Sequence, residues 1–122
     1  MNRAAKSVLI FGIYEFVLGL VLLLIPNLLL PVFGFSPTTE PWIRVAGMME
    51  LILAYYYIRG AREEVWPLLR WTVHERSFAF VCLAGLVALG LAAPMLALFG
   101  LVDLMGAIWT GLALRGHHFF NG

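Results

Sequence analysis

Three carboxylates stand inside runs of residues that otherwise look like hydrocarbon: Glu15, Glu50 and Asp103. An ionised carboxyl at the centre of a bilayer costs about 3 kcal/mol even on lenient scales. Each acid therefore calls for a proton, a cation or a polar cavity. Helical spacing sets all three beside small residues. Gly12, Glu15, Phe16 and Gly19 share one face; Gly47, Glu50, Ala54 and Tyr57 share another; Gly100, Asp103, Ala107, Thr110 and Gly111 share a third. Small side chains let helix backbones approach closely, so the acids are expected to point inward and form a polar centre. At a rise of about 1.5 Å per residue, Glu50 and Asp103 come out nearly level and Glu15 roughly 6–8 Å lower.

Three charged acids cannot share such a centre without a cation. Either some hold protons, or Arg44 compensates one. Arg44 lies to one side of the Gly47 face, and its side chain leans toward its helix start. It is expected either to snorkel to headgroups or to pair with an acid on a neighbouring helix. Tyr57 shares the face of Glu50 and could donate into the centre, whereas Tyr55 and Tyr56 read as an interfacial belt. The candidate ligand- or proton-binding residues are thus Glu15, Glu50, Asp103, Arg44 and Tyr57. Their chemistry fits a proton-coupled site, a polar ligand pocket, or acid catalysis on a lipid-soluble substrate. The plainer alternative is structural: a protonated acid can hydrogen-bond a neighbouring helix and act only as glue.

Other chemistry-bearing residues point to less. His74, Glu75 and Arg76 read as a solvated, salt-bridged edge. His117, His118 and Asn121 are too few for a metal site, and no Cys/His spacing of a closed zinc site occurs. No phosphate-binding glycine loop or nucleophile elbow is present. No metal and no cofactor are expected. The single cysteine, Cys82, excludes an internal disulfide and is expected to be a packing residue.

The elements that must position these residues follow from composition. The 122 residues are 62% hydrophobic and 12% charged, with mean hydropathy +0.93. A soluble domain averages roughly 45–50% apolar and about 25% charged, so lipid is expected to be part of the solvent. The net charge of +1 leaves no electrostatic footprint for nucleic acid. The chain reads as one all-α domain, an integral membrane four-helix bundle with spans at about 7–25, 42–58, 77–92 and 95–114. Pro26–Asn27–Leu28 offers no small-residue cleavage site, so the first segment reads as a retained helix rather than a signal peptide. Residues 26–41 form an outer loop with four of the six prolines, expected to hold a short interfacial helix or turn. Residues 59–76 form a charged loop, in part helical and continuous with the third span. Seven of the eight Lys and Arg lie on one side, with Arg44 alone on the other. The positive-inside rule then puts both termini in the cytoplasm.

A lone Glu midway along the first helix of a four-span chain is similar in architecture to the small multidrug resistance exporters. Those rely on that one glutamate, whereas this chain adds Glu50 and Asp103. A second set of residues covers most of the chain: Trp42-x-Arg44-x-x-Gly47, Tyr56–Tyr57, Ala61–Arg62, Thr72, Arg76 and Gly100–Leu101–Val102–Asp103. It resembles the small bacterial inner-membrane proteins grouped as DoxX-like or BphX-like. That resemblance implies a bacterial inner membrane and a compact four-helix bundle. It implies no catalytic residues.

The expected function is binding of a small hydrophobic or amphipathic molecule in an acid-lined pocket, as an accessory to redox or lipid metabolism. A proton-coupled transporter in which Glu15 alternates between proton and substrate is the alternative. A membrane isomerase or cyclase using Glu50 and Asp103, and a purely structural subunit, stand further off. The expected partners are the bilayer and a lipid-soluble ligand. A homo-oligomer or a membrane-complex partner stays open, because no GxxxG motif marks a face.

Overall fold

The computed structural model describes the backbone of residues 2–121; of these, the side chains of 33 and 116–121 are not described. The described chain is all-α. Four long helices, α1 (Arg3–Leu24), α3 (Pro41–Arg62), α4 (Trp66–Ala88) and α5 (Leu96–Asn121), form a bundle. A short helix, α2 (Pro26–Leu29), and a 3-10 turn (Leu30–Phe33) fill the connection from α1 to α3.

Local chemistry sets the ends. Asn2 caps α1, its side chain accepting from the Ala5 amide at 2.9 Å, as N-cap residues do. Helix α1 ends at Leu24, and Ile25, the residue before Pro26, is non-helical, because a proline disfavours helical backbone in the residue before it. Pro41 opens α3 at a position where no N–H is needed. Gly90, at φ +75°, turns the chain out of α4, and the Leu91 amide returns to the Leu86 carbonyl at 2.9 Å.

Pairwise contacts fix an up-down-up-down order. Gly12 faces Tyr57 and Ile58, and Gly19 faces Gly47 and Leu51, so α1 and α3 run antiparallel. Ser7 meets Thr110 and Phe11 meets Gly106, so α5 is antiparallel to α1. At the closed end, Glu64 adopts a left-handed conformation, φ +50°, in the tight α3–α4 turn. Its carboxylate accepts from the Asn2 amide at 3.1 Å and from Asn2 Nδ2 at 2.9 Å. The start of α1 is thereby bound to the α3–α4 turn.

The dry core sits at that same end. Ala4, Ala5, Val8, Phe11, Tyr57, Ala61 and Leu69 make one buried cluster. The outward faces are apolar instead of polar: Val17 on α1, Met49 and Ile52 on α3, Phe78 and Val81 on α4, Met105 and Ile108 on α5 are all about half exposed or more. Two helices, α1 and residues Leu96–Arg115 of α5, are long and apolar enough to cross a membrane. Helices α3 and α4 carry more polarity: Arg44, Glu50 and three tyrosines in one, Arg70, His74, Glu75 and Arg76 in the other.

Several sequence expectations change. Phe16 is exposed rather than part of the inward face of α1. Cys82 is exposed too, so it is not a packing residue. The helical part of the segment at 59–76 is longer than a flank, since α4 begins at Trp66. This moves Arg76 from a flank to the middle of a helix.

Candidate functional site

A cavity of about 600 Å³ lies between the α1/α3 pair and the α4/α5 pair, in the half of the bundle away from the dry core. Glu15, Glu50 and Asp103, each from a different helix, all line it. Glu75 of α4 and the phenol of Tyr14 line it as well. The rest of the wall is aliphatic and aromatic, including Leu18, Leu53, Leu83, Leu86 and Phe99. Leu29 and Leu30 of the short connection, with Leu91 and Ala92 of the α4–α5 turn, line the far end. No Lys, Arg or His is among the lining residues.

Backbone packing explains why the acids converge. Gly19 and Gly47 let α1 and α3 touch: a Cβ on Gly47 would stand 2.6 Å from the Leu23 amide nitrogen and 2.8 Å from the Gly19 carbonyl oxygen. That close approach turns the Glu15 and Glu50 faces toward the same space. On α5, the register of Ser7 with Thr110 and Phe11 with Gly106 carries Asp103 to about the level of Tyr14 and Glu15. Asp103 is therefore nearer in height to Glu15 than to Glu50, unlike the estimate from span edges. Glu15 is the most enclosed acid, only 4% exposed, and its Oε2 has no hydrogen-bond partner.

Arg44 is not in this cavity. It is exposed, and its guanidinium donates to the Leu23 carbonyl and, at 3.4 Å, to the Leu24 carbonyl. The unpaired carbonyls at the end of α1 thus take a cation, which suits the negative end of a helix dipole. Tyr57 is buried but does not reach Glu50. Its hydroxyl donates to Glu75 Oε1 at 2.8 Å.

Among the described residues, the cation inside the bundle is Arg76, fully buried. Its Nε donates to the Thr72 carbonyl at 3.1 Å, and Nη2 donates to Thr72 Oγ1 at 3.0 Å and to Thr110 Oγ1 at 2.8 Å. Its guanidinium lies 4.8 Å from the Phe11 ring centroid and 5.6 Å from that of Tyr57, where the ring faces attract a cation. Hydroxyl directions around it follow from the inventory of donors. Ser7 Oγ donates to the Ala4 carbonyl at 2.7 Å, so Thr110 supplies the proton in the 2.6 Å contact between the two hydroxyls. Thr72 donates to the Leu69 carbonyl at 2.7 Å and accepts from Arg76. Arg76 Nη1 is left without a partner. Electrostatically, Arg76 reaches Glu75, Glu15 and Asp103.

Sequence reasoning placed Glu75 and Arg76 on a solvated edge. The structure instead puts Glu75 on the cavity wall and Arg76 in the interior. A signal existed: Thr72 and Arg76 are one turn apart on α4, and Thr110 lies on the small-residue face of α5. The histidine pair His117 and His118, with Asn121, lies outside the described side chains. Among the described residues no cluster of three metal-ligating side chains occurs. Comparison with family models, with curated proteins and with solved structures finds no match to this chain.

Proposed function

We propose that this chain is a four-span membrane protein that takes a small, lipid-soluble amphipathic molecule into its inter-helical cavity. One observation carries the reading: Glu15, Glu50, Glu75 and Asp103 line a single space of about 600 Å³ whose other walls are apolar. That volume falls within the range of about 300–1,000 Å³ usual for small-molecule pockets. Apolar walls with a few convergent polar groups suit a ligand with an oily body and a polar head. The apolar outward faces of all four helices support lipid as their surroundings. Helices α3 and α4 cross in this reading despite Glu50, Glu75 and Arg76, because those polar groups face the interior. The exposed cations Arg3, Lys6, Arg59, Arg62, Arg70 and Arg115 then gather at one end, which is cytoplasmic by the positive-inside rule. The likeness to DoxX-like proteins supports a bacterial inner membrane.

The test is equilibrium binding of radiolabelled long-chain probes to purified protein in lipid nanodiscs, corrected for partition into empty discs. The probes are a methyl ketone, an alkylamine and a fatty acid of equal chain length. At least one is expected to bind saturably and to be excluded by Ala79→Trp, which fills the cavity. Saturable binding of none of them would remove the reading.

A further inference from the structure

We infer that the occupant of the cavity is electrically neutral and carries a carbonyl or ether oxygen, which Glu15 grips as a hydrogen-bond donor. This rests on the proposed ligand-binding reading and names the chemistry of its ligand.

The argument is a charge count followed by a donor count. Among the described residues, four carboxyl groups line the cavity and no cation does. One cation, Arg76, is buried just beyond its floor. It balances at most one of the four carboxyls. Glu75 already has a protein partner, since the Tyr57 hydroxyl donates to it at 2.8 Å. An unbalanced carboxylate in an apolar enclosure is far costlier than a carboxylic acid, and Glu15 is the most enclosed of the four, so Glu15 is the one held as a neutral acid.

A neutral acid is an O–H donor. The one cavity acid that is more than nine-tenths enclosed, Glu15, has an oxygen with no partner. The terminal torsion of a carboxyl is soft, so either oxygen can be turned to the cavity. No group of the wall pairs with that oxygen, and an acceptor brought by the occupant would take its proton. The facing groups are accounted for element by element: Tyr14 beside Glu15 on α1, Glu50 on α3, Glu75 on α4 and Asp103 on α5 line the cavity, while Tyr57 of α3 bonds Glu75 and Arg76 of α4 acts on Glu15 from outside the lining. Tyr14 adds a second donor from the wall, its phenol O–H. A cationic ligand would require an ionised carboxylate facing it without compensation from Arg76. An anionic ligand would meet four acids and no lining cation. A neutral molecule with acceptor oxygens meets donors at Glu15 and Tyr14 and apolar walls elsewhere.

The experiment uses the three probes above on wild-type protein and on Glu15→Gln and Glu15→Leu, with infrared spectra of the protonated carboxyl band. Gln keeps an N–H donor and loses the acid; Leu loses both. The methyl ketone is expected to bind at least about tenfold more tightly than the amine or the fatty acid. Glu15→Gln is expected to retain that binding, and Glu15→Leu to weaken it about 3- to 10-fold. The protonated carboxyl band should shift on adding the ketone and shrink in Glu15→Gln. Preference for the amine, abolished by Glu15→Gln, would overturn the neutral-ligand inference and leave the binding reading standing. Equal ketone binding by wild type and Glu15→Leu would also overturn it. Binding of no probe would end both. Ala79→Trp, which should exclude the ketone in every background, separates cavity binding from partition.

Discussion

Arg76 and Thr110 are joined by a 2.8 Å hydrogen bond that is sealed from solvent at both ends. No carboxylate lies within ion-pair distance of this arginine among the described residues. Its charge is held by hydroxyls, a backbone carbonyl and two aromatic faces. The bond also joins α4 to α5, and the Ser7 contact extends it to α1.

That chain of bonds predicts an ordered pair of mutational costs. Thr110→Val keeps the shape and removes the acceptor for Arg76 and the donor for Ser7. A buried charged donor left unsatisfied costs about 1–3 kcal/mol. Ser7→Ala leaves the Arg76–Thr110 bond intact and is expected to cost less. Denaturant or thermal unfolding in detergent micelles measures both. A Thr110→Val protein as stable as wild type would mean that the bond does not hold the two helices.

The glycines divide into two kinds, which predicts opposite signs for similar substitutions. A Cβ on Gly47 would press on backbone atoms of α1 at 2.6 to 2.9 Å, and backbone has little room to yield. Gly47→Ala is expected to destabilise by about 1–3 kcal/mol, the usual range for overpacking. A Cβ on Gly85 of α4 meets nothing within 4 Å. Gly85→Ala is expected to be neutral or to stabilise by up to about 1 kcal/mol through helix propensity. Melting curves of the two variants side by side decide it; equal effects would break the α1–α3 contact argument.

These contrasts also show what could be read without coordinates. Spacing alone put Gly47, Ala54 and Tyr57 on one buried face and Ala107 and Thr110 on another, because a helix repeats its faces whatever it packs against. The convergence of Glu15, Glu50 and Asp103 on one space was legible for the same reason. Arg76 was not. Hydropathy averages over a window, and a charge at the edge of the apolar run 77–92 is assigned to the flank. Only the start of α4 at Trp66 reveals that Arg76 is central. The position of Arg44 was also illegible, since its partners are backbone carbonyls that leave no trace in side-chain pattern.

Tyr57 and Glu75 are predicted to be energetically coupled. Tyr57→Phe removes the phenol that donates to Glu75 at 2.8 Å, and a typical intramolecular hydrogen bond contributes about 0.5–1.5 kcal/mol. Glu75→Gln changes the acceptor instead. A double-mutant cycle in unfolding free energy should give a coupling of about 0.5–3 kcal/mol, the range for residues in direct contact. Strict additivity would show that the hydrogen bond contributes nothing to the floor of the cavity.

Cys82 supplies the test of the lipid surroundings. It is exposed on the same outer side of α4 as Phe78 and Val81, which are 69% and 63% exposed. If that face meets acyl chains, a reagent confined to water does not reach the thiol. A charged, membrane-impermeant maleimide is therefore expected to leave Cys82 unlabelled in sealed vesicles and to label it after denaturation in SDS. On a Cys82→Ala background, Arg70→Cys at the basic end should be labelled in inside-out vesicles and not in right-side-out ones. Rapid labelling of Cys82 in intact vesicles would place α4 in water. The polar groups it carries, Glu75 and Arg76, would then belong to a soluble helix packed on a two-span hairpin of α1 and α5, and the cavity would open to solvent rather than to lipid.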